Sequence, residues 1–288
     1  MAAESQPKKA GVVALVGRSN VGKSTLLNAL VGTKIAIVTP KPQTTRHAIQ
    51  GVIHDPRGQI VLVDTPGLFL ASSDSLTSRL NEKAKESIQG VDAVLYIVDP
   101  TRHVGDEEKA VHRMVAAVKQ PKFMVLNKAD QDRPFLHEYL AWKDEFDGIF
   151  EVSADTGRNL KPIVEALLEK LPEGEPLYPP DRITDIDNTF WIGEVIREKI
   201  FLNMHEEVPY TVHVRVDEIA ERENGITYIH ATVMTKSARY KKILIGTRGM
   251  ALKRIGTQAR KELETVVGKK VFLDLEVVVE ERWPEQFE

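Results

Sequence analysis

Short apolar runs alternate with helical patterns over the first 170 residues of the chain. The apolar runs have the length of buried strands and cover residues 12–16, 60–63, 93–98, 123–126 and, with a weaker signal, 149–152. Apolar positions recur at helical spacing over residues 23–31, 76–89, 106–118, 135–146 and 159–170. Because strands that alternate with helices form a parallel sheet covered on both faces, we predict an α/β domain over residues 11–171. A further strand is predicted at 48–54, and residues 1–10 are predicted to be a flexible tail.

The pattern changes after residue 171. Residues 172–189 contain four prolines and few periodic apolar positions, which predicts a semi-rigid linker. An amphipathic helix is then predicted at 189–203, followed by two strands that are joined as a hairpin around Asn224-Gly225. The two strands, the second helix after them and the last strand are predicted at 211–216, 226–234, 250–266 and 271–279. With a short helix before 246, this α-β-β-α-α-β order predicts an α+β domain over residues 190–288.

Composition limits the classes of protein that the chain can be. Its 288 residues are 42% hydrophobic and 28% charged, as is usual for a soluble globular protein with room for two cores. There is no cysteine, which excludes disulfides and thiolate chemistry, and the eight histidines lack metal-ligand spacing. No apolar run reaches 18 residues and the N-terminal tail has no signal-peptide pattern, so we expect a cytoplasmic protein. The net charge of −3 means that any nucleic-acid surface must be local.

The first candidate site lies between the strand at 12–16 and the helix at 23–31. The segment fits G-x-x-x-x-G-K-[ST], the pattern of the phosphate-binding P-loop, in which backbone N–H groups and a helix N-terminus surround a phosphate. Lys23 is expected to reach the β- and γ-phosphates of a nucleotide, and the Ser24 hydroxyl to hold Mg²⁺. The predicted phosphate-binding residues are Gly17, Arg18, Ser19, Asn20, Val21, Gly22, Lys23, Ser24 and Thr25. A surface role is expected for the Arg18 side chain.

Two further segments are expected to face the phosphates. The run Asp64-Thr65-Pro66-Gly67-Leu68 follows a core strand, so its carboxylate can reach Mg²⁺ through water and the Gly67 N–H can sense a γ-phosphate. A threonine between the two motifs can supply a second hydroxyl to Mg²⁺ while the γ-phosphate is present, which is how a switch segment works. Thr44 and Thr45 are the candidates, and Thr45 is favoured because it precedes Arg46. The predicted metal ligands are therefore Ser24, Thr45 and Asp64.

The base of the nucleotide is predicted to be guanine. The tetrapeptide from Asn127 to Asp130 follows the strand at 123–126, and its aspartate can accept hydrogen bonds from the guanine N1–H and amine, which adenine lacks. Lys128 would cover the base plane. One αβ unit further on, Ser153-Ala154-Asp155 can offer a backbone N–H to guanine O6. GTP and GDP are thus the predicted nucleotides.

The sequences of these motifs resemble those of a known family. Residues 11–170 resemble a translation-factor-class G domain, and GRSNVGKS, QTTR, DTPGL, NKAD and SAD are similar to the Era family of bacterial GTPases. In Ras-like enzymes a glutamine follows the D-x-x-G glycine and orients the attacking water, whereas this chain has Leu68. We therefore expect slow intrinsic hydrolysis. The P-loop also offers no obvious arginine finger, and Asn20 is a candidate ligand of a K⁺ ion that would replace that charge, as in related GTPases that lack the glutamine. The alternative is that Asn20 only shapes the loop. Lys23, Asn20 and Thr45 are the predicted catalytic residues.

The second candidate site lies in the α+β domain and is expected to bind RNA. Residues 241–255 fit I-G-x-x-G-x-x-I-K-x-I, the pattern of KH domains, and the element order resembles the type II form. Residues 236–261 carry nine basic side chains and no acid, which favours contact with a phosphate backbone. The predicted RNA-binding residues are Lys241, Lys242, Ile245, Gly246, Thr247, Arg248, Gly249, Lys253 and Arg254.

A P-loop NTPase G domain followed by a type II KH domain is the arrangement of the Era family. The resemblance implies a GTPase that binds the 3′ end region of 16S ribosomal RNA, not DNA, and assists assembly of the 30S subunit, with peripheral association to the inner face of the membrane. Era chains usually continue with a longer C-terminal segment, so contacts of that segment are not carried over. A monomer is expected. Two alternatives stay open: a GTPase that serves RNA modification, and an RNA-binding scaffold that binds nucleotide with negligible hydrolysis.

Overall fold

The computed structural model describes residues 8–42, 44–65, 90–223 and 225–283. The chain divides into two compact units: the first comprises residues 1–36 and 45–185, and the second comprises residues 37–44 and 186–288. Several predictions from the sequence lie outside the described residues. These are the helix at 76–89 and the individual residues Gln43, Pro66, Gly67, Leu68 and Asn224.

The first unit is built on one six-stranded sheet with the order β2-β3-β1-β4-β5-β6. Its strands are β1 Lys9–Val16, β2 Ile49–Asp55, β3 Gly58–Asp64, β4 Ala93–Val98, β5 Lys122–Leu126 and β6 Gly148–Glu151. Its helices are α1 Lys23–Val31, α2 Asp106–Ala116, α3 Leu136–Leu140 and α4 Lys161–Lys170. All strand pairs are parallel except β2 with β3. Strands β3 and β4 are buried along their whole length, as expected for the centre of a sheet covered on both faces.

The register of the strands brings the candidate motifs together. Leu15 pairs with Asp64, and Val98 pairs with Leu126 on the neighbouring strand. The segments that follow β1, β3, β4 and β5 therefore leave the sheet at its carboxyl edge, where α/β sheets bind their ligands.

The helix predicted at 135–146 is wrong in its extent. The structure ends α3 at Leu140 and continues with a 3₁₀ turn at Lys143–Glu145. The aromatic residues that completed the helical pattern pack on other elements, because Trp142 stacks on His112 at 3.9 Å and Phe146 stacks on Tyr96 at 5.8 Å between ring centroids. Tertiary packing therefore overrides the local helical period.

The first unit extends through most of the segment that the sequence suggested as a linker. The Thr184 hydroxyl donates to the Gln50 carbonyl at 2.8 Å, and the Gln50 N–H donates to Asp185 at 2.9 Å. Gly51 of β2 also forms a bridge with Thr184. The proline-rich segment is thus hydrogen-bonded along the outer strand of the sheet up to Asp185.

The second unit combines a three-stranded sheet with helices in the predicted order. Strands β7 Val212–Glu221, β8 Thr227–Thr235 and β9 Val271–Val279 form a sheet in that order, antiparallel between β7 and β8 and parallel between β8 and β9. Its helices are α5 Asn188–Asn203, α6 Ala238–Ile245 and α7 Met250–Val267. One core joins α5, α6 and α7 to the sheet. Asp187 caps α5, because its carboxylate accepts a hydrogen bond from the Phe190 N–H at 2.7 Å.

The prediction that the helix at 189–203 is amphipathic is wrong. Ten consecutive residues of α5, from Ile192 to Phe201, are buried. One side of the helix lies in the core of the second unit, while the other side meets residues 37–44, which belong to the same unit. The Val38 N–H donates to Glu198 at 2.9 Å, and Arg197 donates to the Thr44 carbonyl at 2.5 Å. A helix that is covered on all sides has no exposed face to detect.

Candidate functional site

The loop between β1 and α1 depends on two glycines. Gly22 has φ 98°, in the left-handed region that favours glycine, and a Cβ there would lie 2.3 Å from Asn127 Nδ2. A Cβ at Gly17 would lie 2.3 Å from the Ile97 carbonyl oxygen. Close approach of neighbouring elements therefore requires glycine at both ends of the predicted phosphate-binding loop.

Lys23 begins α1 and lies across this loop. Its Nζ donates to the carbonyl oxygens of Gly17 and Arg18 at 3.1 and 3.0 Å. The side chain is buried, and burial lowers the pKa of Lys23, although the nearby carboxylates of Asp64 and Glu108 act in the opposite direction. A buried cation held by two carbonyls is ready to exchange these weak partners for phosphate oxygens.

Three oxygen-bearing side chains predicted to bind a metal lie together. Ser24 Oγ donates to Asp64 Oδ2 at 2.5 Å, and it lies 3.0 Å from Thr45 Oγ1. Thr45 Oγ1 lies 3.5 Å from the same carboxylate oxygen. Residues that are 40 positions apart in the sequence thus converge on one point at the carboxyl edge of the sheet.

The chemistry of this group fits Mg²⁺. Asp64 is fully buried, and its Oδ1 has no hydrogen-bond partner among the described residues. Burial raises the pKa of Asp64, while Lys23 and the hydroxyls of Ser24 and Thr45 oppose that rise. A hard divalent cation prefers oxygen ligands such as these and would compensate the buried charge.

Not every side chain that was predicted to face the phosphates lies near Ser24. The Thr44 hydroxyl bonds to Thr39 Oγ1 at 2.6 Å and donates to the Lys41 carbonyl at 2.8 Å, so of the two candidate threonines Thr45 is the one whose hydroxyl lies near Ser24. The hydroxyl of Thr65 donates to the Leu15 carbonyl at 2.9 Å.

The expected surface role of Arg18 is wrong. Its side chain is buried, and Nε lies 3.1 Å from Glu108 Oε2 without the alignment of a hydrogen bond. Glu108 is itself buried on α2 and accepts a hydrogen bond from the Tyr96 hydroxyl at 2.5 Å. Arg18 therefore ties the loop to α2 through a buried charge pair.

Asn127 connects the two halves of the site. Its Nδ2 donates to the Val21 carbonyl at 2.8 Å, and its Oδ1 accepts from the Ala154 N–H at 3.0 Å. Ser153 is buried, and its hydroxyl accepts from the Thr156 N–H at 3.2 Å. The amide of Asn127 thus holds the phosphate loop and the segment after β6 at fixed distances.

A pocket of about 280 Å³ opens beside Asn127. It is lined by Gly22, Thr25, Asn127, Lys128, Asp130, Gln131, Ala154 and Asp155. Asp130 is exposed, and a hydrogen bond from the Ser153 side chain, together with its own backbone N–H and the Gln131 side chain, lowers the pKa of its carboxyl group. An ionised acceptor at the rim of a pocket of this composition fits a purine with N–H donors on its edge.

Asp99 is a residue of this site that the sequence analysis missed. It follows β4 directly, is fully buried, and lies 2.5 Å from Lys128 Nζ through its Oδ2. Parallel sheets bind ligands beyond the carboxyl ends of their strands, and on that basis the sequence predicted site residues after β3, β5 and β6. Asp99 holds the same position after the central strand β4, so the same reasoning identifies it.

The predicted RNA-binding loop joins α6 to α7 in the second unit. Gly246 has φ 71° and Gly249 has φ 74°, and a Cβ on Gly246 would lie 2.7 Å from Ala251 Cβ. Between them, Thr247 and Arg248 are exposed, and Arg248 also adopts a left-handed φ of 52°. The loop therefore presents two exposed side chains on a tight backbone, which allows a nucleic-acid backbone to approach closely.

Within the part of the chain that the structure describes, the basic residues around this loop form no ion pairs with acidic side chains. Across the described ranges, none of the nine forms an ion pair, namely Lys236, Arg239, Lys241, Lys242, Arg248, Lys253, Arg254, Arg260 and Lys261. Exposed apolar side chains, Ile243 and Met250, lie at either end of the loop. Unpaired positive charge beside apolar surface matches the phosphates and bases of a single-stranded nucleic acid.

Comparisons with known proteins identify a family for each of the two units. Residues 12–128 match the family described as 50S ribosome-binding GTPase, and residues 207–284 match the KH domain family. GTPase Era of Trichlorobacter lovleyi is 43% identical over 284 residues, covering 96% of this chain and 95% of its own. GTPase Era of Halothermothrix orenii is 40% identical over 281 residues, with 96% and 95% covered.

Two solved structures are similar over nearly the whole chain. A variant of Aquifex aeolicus Era bound to GDP·AlF₄⁻ has a TM-score of 0.89 and 36% identity. Era in complex with MgGDPNP and nucleotides 1506–1542 of 16S ribosomal RNA has a TM-score of 0.90 and 37% identity. Each comparison covers 96% of this chain and 97% of the other. Among the helices of the described ranges, none has both the length and the apolar character to cross a membrane.

Proposed function

The chain belongs to the GTPase Era family, and on that premise we propose that it binds GTP and GDP with Mg²⁺ in its first unit and 16S ribosomal RNA in its second. One observation carries the proposal. The oxygens of Ser24, Thr45 and Asp64 converge beside a buried lysine in the same chain that presents an exposed G-x-x-G loop. The similar Era structure that contains both MgGDPNP and 16S nucleotides supports this combination.

Hydrolysis of GTP relies on the groups around the phosphates. Ser24, Thr45 and Asp64 would hold Mg²⁺, which when bound neutralises charge on the phosphate oxygens. Lys23 leaves the carbonyls of Gly17 and Arg18 to bind the β- and γ-phosphates. Thr45 contributes only while the γ-phosphate is present, so its segment distinguishes the triphosphate from the diphosphate.

Guanine is selected by the pocket beside Asn127. Asp130 would accept hydrogen bonds from the N1–H and the amine of guanine, and the segment with Ala154 and Asp155, which line the pocket, is proposed to face O6. The lowered pKa of Asp130 keeps this carboxylate ionised well below neutral pH. Lys128 covers the plane of the base.

The charge that an arginine finger supplies in other GTPases needs a further group here, and K⁺ is the proposed candidate. Asn20 is exposed in the loop with φ 60°, three residues before Lys23. A cation bound by its side-chain oxygen would neutralise charge that develops between the β- and γ-phosphates.

RNA binding is proposed at the loop between α6 and α7. Thr247 and Arg248 would meet the phosphate backbone, and the unpaired basic residues on both helices would supply most of the affinity. The proposed ligand is the 3′ end region of 16S ribosomal RNA, and the proposed biological role is GTP-dependent assistance to 30S assembly in the cytoplasm by a monomer. Peripheral membrane association stays a prediction from family resemblance.

Two measurements on the full chain test this function. An oligoribonucleotide of the 16S 3′ end should bind more tightly than a scrambled sequence of the same length and charge. Multiple-turnover assays should show GTP hydrolysis to GDP, whereas a scaffold would bind nucleotide without turnover. Equal binding of both RNAs would contradict the proposed ligand, and absence of turnover with RNA present would favour the scaffold.

A further inference from the structure

Lys128 has a left-handed backbone conformation that is unfavourable for a residue with a side chain. Its φ is 60°, which costs a residue with a side chain on the order of 1 kcal/mol relative to ordinary backbone. Lysine also has four rotatable side-chain bonds, so a free Lys128 would sample many directions. The Ala129 N–H donates to the Val152 carbonyl at 2.9 Å, which fixes the backbone of this turn but not the side chain.

The carboxylate of Asp99 supplies the support for the side chain. Its Oδ2 accepts from Lys128 Nζ at 2.5 Å, and its Oδ1 accepts from the Thr101 N–H at 3.1 Å and the Thr101 hydroxyl at 2.6 Å. Asp99 is fully buried, whereas the side chain of Lys128 is 29% exposed. Because both carboxylate oxygens are bonded, Asp99 cannot rotate without losing partners.

The topology of the sheet places Asp99 at this position. Val98 and Leu126 are register partners on parallel strands β4 and β5, and the Asn127 N–H donates to the Val98 carbonyl at 2.9 Å. Asp99 therefore leaves its strand beside the start of the guanine motif. The turn after Asp99 is fixed as well, since the Arg102 N–H donates to the Asp99 carbonyl at 3.1 Å.

Lys128 lines the 280 Å³ pocket, whereas Asp99 does not. Asp99 reaches the lining of this pocket through its ion pair with Lys128. We infer that Asp99 is a positioning residue for nucleotide binding: by holding Nζ it lays the aliphatic stem of Lys128 along the pocket as an apolar surface for the face of the purine. The inference rests on the proposed binding of guanine nucleotides in this pocket.

A contact with the face of a purine ring does not depend on the substituents at the edge of the ring. Loss of Asp99 should therefore weaken GTP, GDP and the corresponding inosine and xanthosine nucleotides by the same factor. Asp130 contacts the edge, so a change there alters the preference among bases. This difference separates a positioning role under the ring from direct readout of the base.

The experiment measures dissociation constants of fluorescent GDP and of a non-hydrolysable GTP analogue on the full chain. Asp99→Asn should weaken both by about tenfold, with the ratio between guanine and hypoxanthine nucleotides unchanged. Asp55→Asn is the matched control, because Asp55 pairs with Arg57 at 2.8 Å in the same unit and lies outside the pocket. It should bind as the parent does.

A double-mutant cycle tests whether Asp99 and Lys128 act together, and the thermal midpoint of each variant checks that it is folded. Lys128→Met removes the same ion pair from its more exposed side and retains an unbranched stem. If the two residues act together, Asp99→Asn should add little in the Lys128→Met background, at equal thermal midpoint. Additive effects, an altered base preference or an unchanged affinity in Asp99→Asn would each overturn the inference. If the parent binds no guanine nucleotide, the proposed function itself fails.

Discussion

The side-chain amide of Asn127 donates to the backbone carbonyl of Val21 at 2.8 Å, which joins the guanine motif to the phosphate loop. The same side chain accepts from the Ala154 N–H at 3.0 Å. One buried amide thus satisfies one donor and one acceptor on two separate segments. A carboxylate of the same shape can satisfy only the donor.

Asn127→Asp should therefore weaken nucleotide binding. The buried Val21 carbonyl loses its donor and faces a carboxylate oxygen, which costs on the order of 1–3 kcal/mol. Titration with fluorescent GDP measures the effect. Asn159→Asp is the control, because Asn159 donates to the Glu151 carbonyl at 2.7 Å at an exposed position outside the pocket. Equal losses in both variants would contradict a specific role for Asn127.

Asp130→Asn should change the base preference of the pocket. The carboxylate offers two acceptors to guanine, whereas the amide offers one acceptor and one donor, so GTP should weaken by about 2–3 kcal/mol and xanthosine nucleotides should gain. Competition between GDP and xanthosine diphosphate measures the preference. Asp132→Asn, exposed two residues away, should bind as the parent does. Unchanged GTP affinity in Asp130→Asn would show that its assignment is wrong.

Thr247→Asp with Arg248→Asp should abolish most RNA binding while GTP hydrolysis without RNA stays at the parental rate. Both residues are exposed, and the change leaves the two glycines in place, which matters because a side chain at Gly246 would collide with Ala251. Two carboxylates facing phosphates should lower the affinity at least about tenfold and reduce its salt dependence. Fluorescence anisotropy with labelled RNA measures both.

The matched control for this variant is Thr265→Asp with Lys270→Asp. It carries the same change of charge at exposed positions, with Thr265 about 20 Å along α7 from the loop and Lys270 just beyond the end of that helix. RNA affinity should stay within a few-fold of the parental value. A comparable loss in the control would mean that net charge, not the loop, determines binding.

Turnover of GTP should be faster in K⁺ than in Na⁺ at equal ionic strength. If the Asn20 oxygen holds the cation, Asn20→Gly should lower the rate in K⁺ by about tenfold or more, to the rate in Na⁺. Glycine is preferable to alanine here because φ at this position is 60°, where a methyl side chain adds strain. Identical parental rates in the two salts would exclude the cation mechanism.

Asp187→Ala should destabilise the second unit by about 1 kcal/mol at neutral pH, since α5 loses its N-terminal cap. The hydrogen bond from the Phe190 N–H lowers the pKa of Asp187, so its contribution is present above the unfolded pKa of about 4 and is lost as the pH falls through the lower folded pKa. Denaturant unfolding at several pH values should show the difference from the parent shrink in acid. Asp181→Ala, at an exposed position, should show none of this.

The convergence of Ser24, Thr45 and Asp64 was largely predictable because the motifs that contain them are encoded locally. Ser24, Asp64 and Asn127 stand directly after strands or at a helix start, and the sheet register then brings them together. The choice of Thr45 over Thr44 could also be made from the sequence. The buried role of Arg18 could not, because it depends on Glu108, 90 positions away, and no local pattern links the two.

Features that depend on distant packing were missed. Trp142 and Phe146 repeat at helical spacing, yet they pack on His112 and Tyr96 instead of extending α3. The all-round burial of α5 likewise has its cause about 150 residues earlier in the chain. The spacing of apolar residues shows which side of a helix is apolar. It cannot show that a segment far away in the sequence forms hydrogen bonds with the charged side chains of that helix.

The cover of α5 by residues 37–44 has a consequence for inheritance. A gene fragment that begins at the linker would encode α5 and the rest of the chain without Val38, Lys41 and Thr44. The hydrogen bonds of these three residues with Glu198, Phe201 and Arg197 would then be lost. Recombination at that joint would separate a helix from its own cover. Residues 37–44 and α5 must therefore be kept in the same chain if the second unit is to keep this cover.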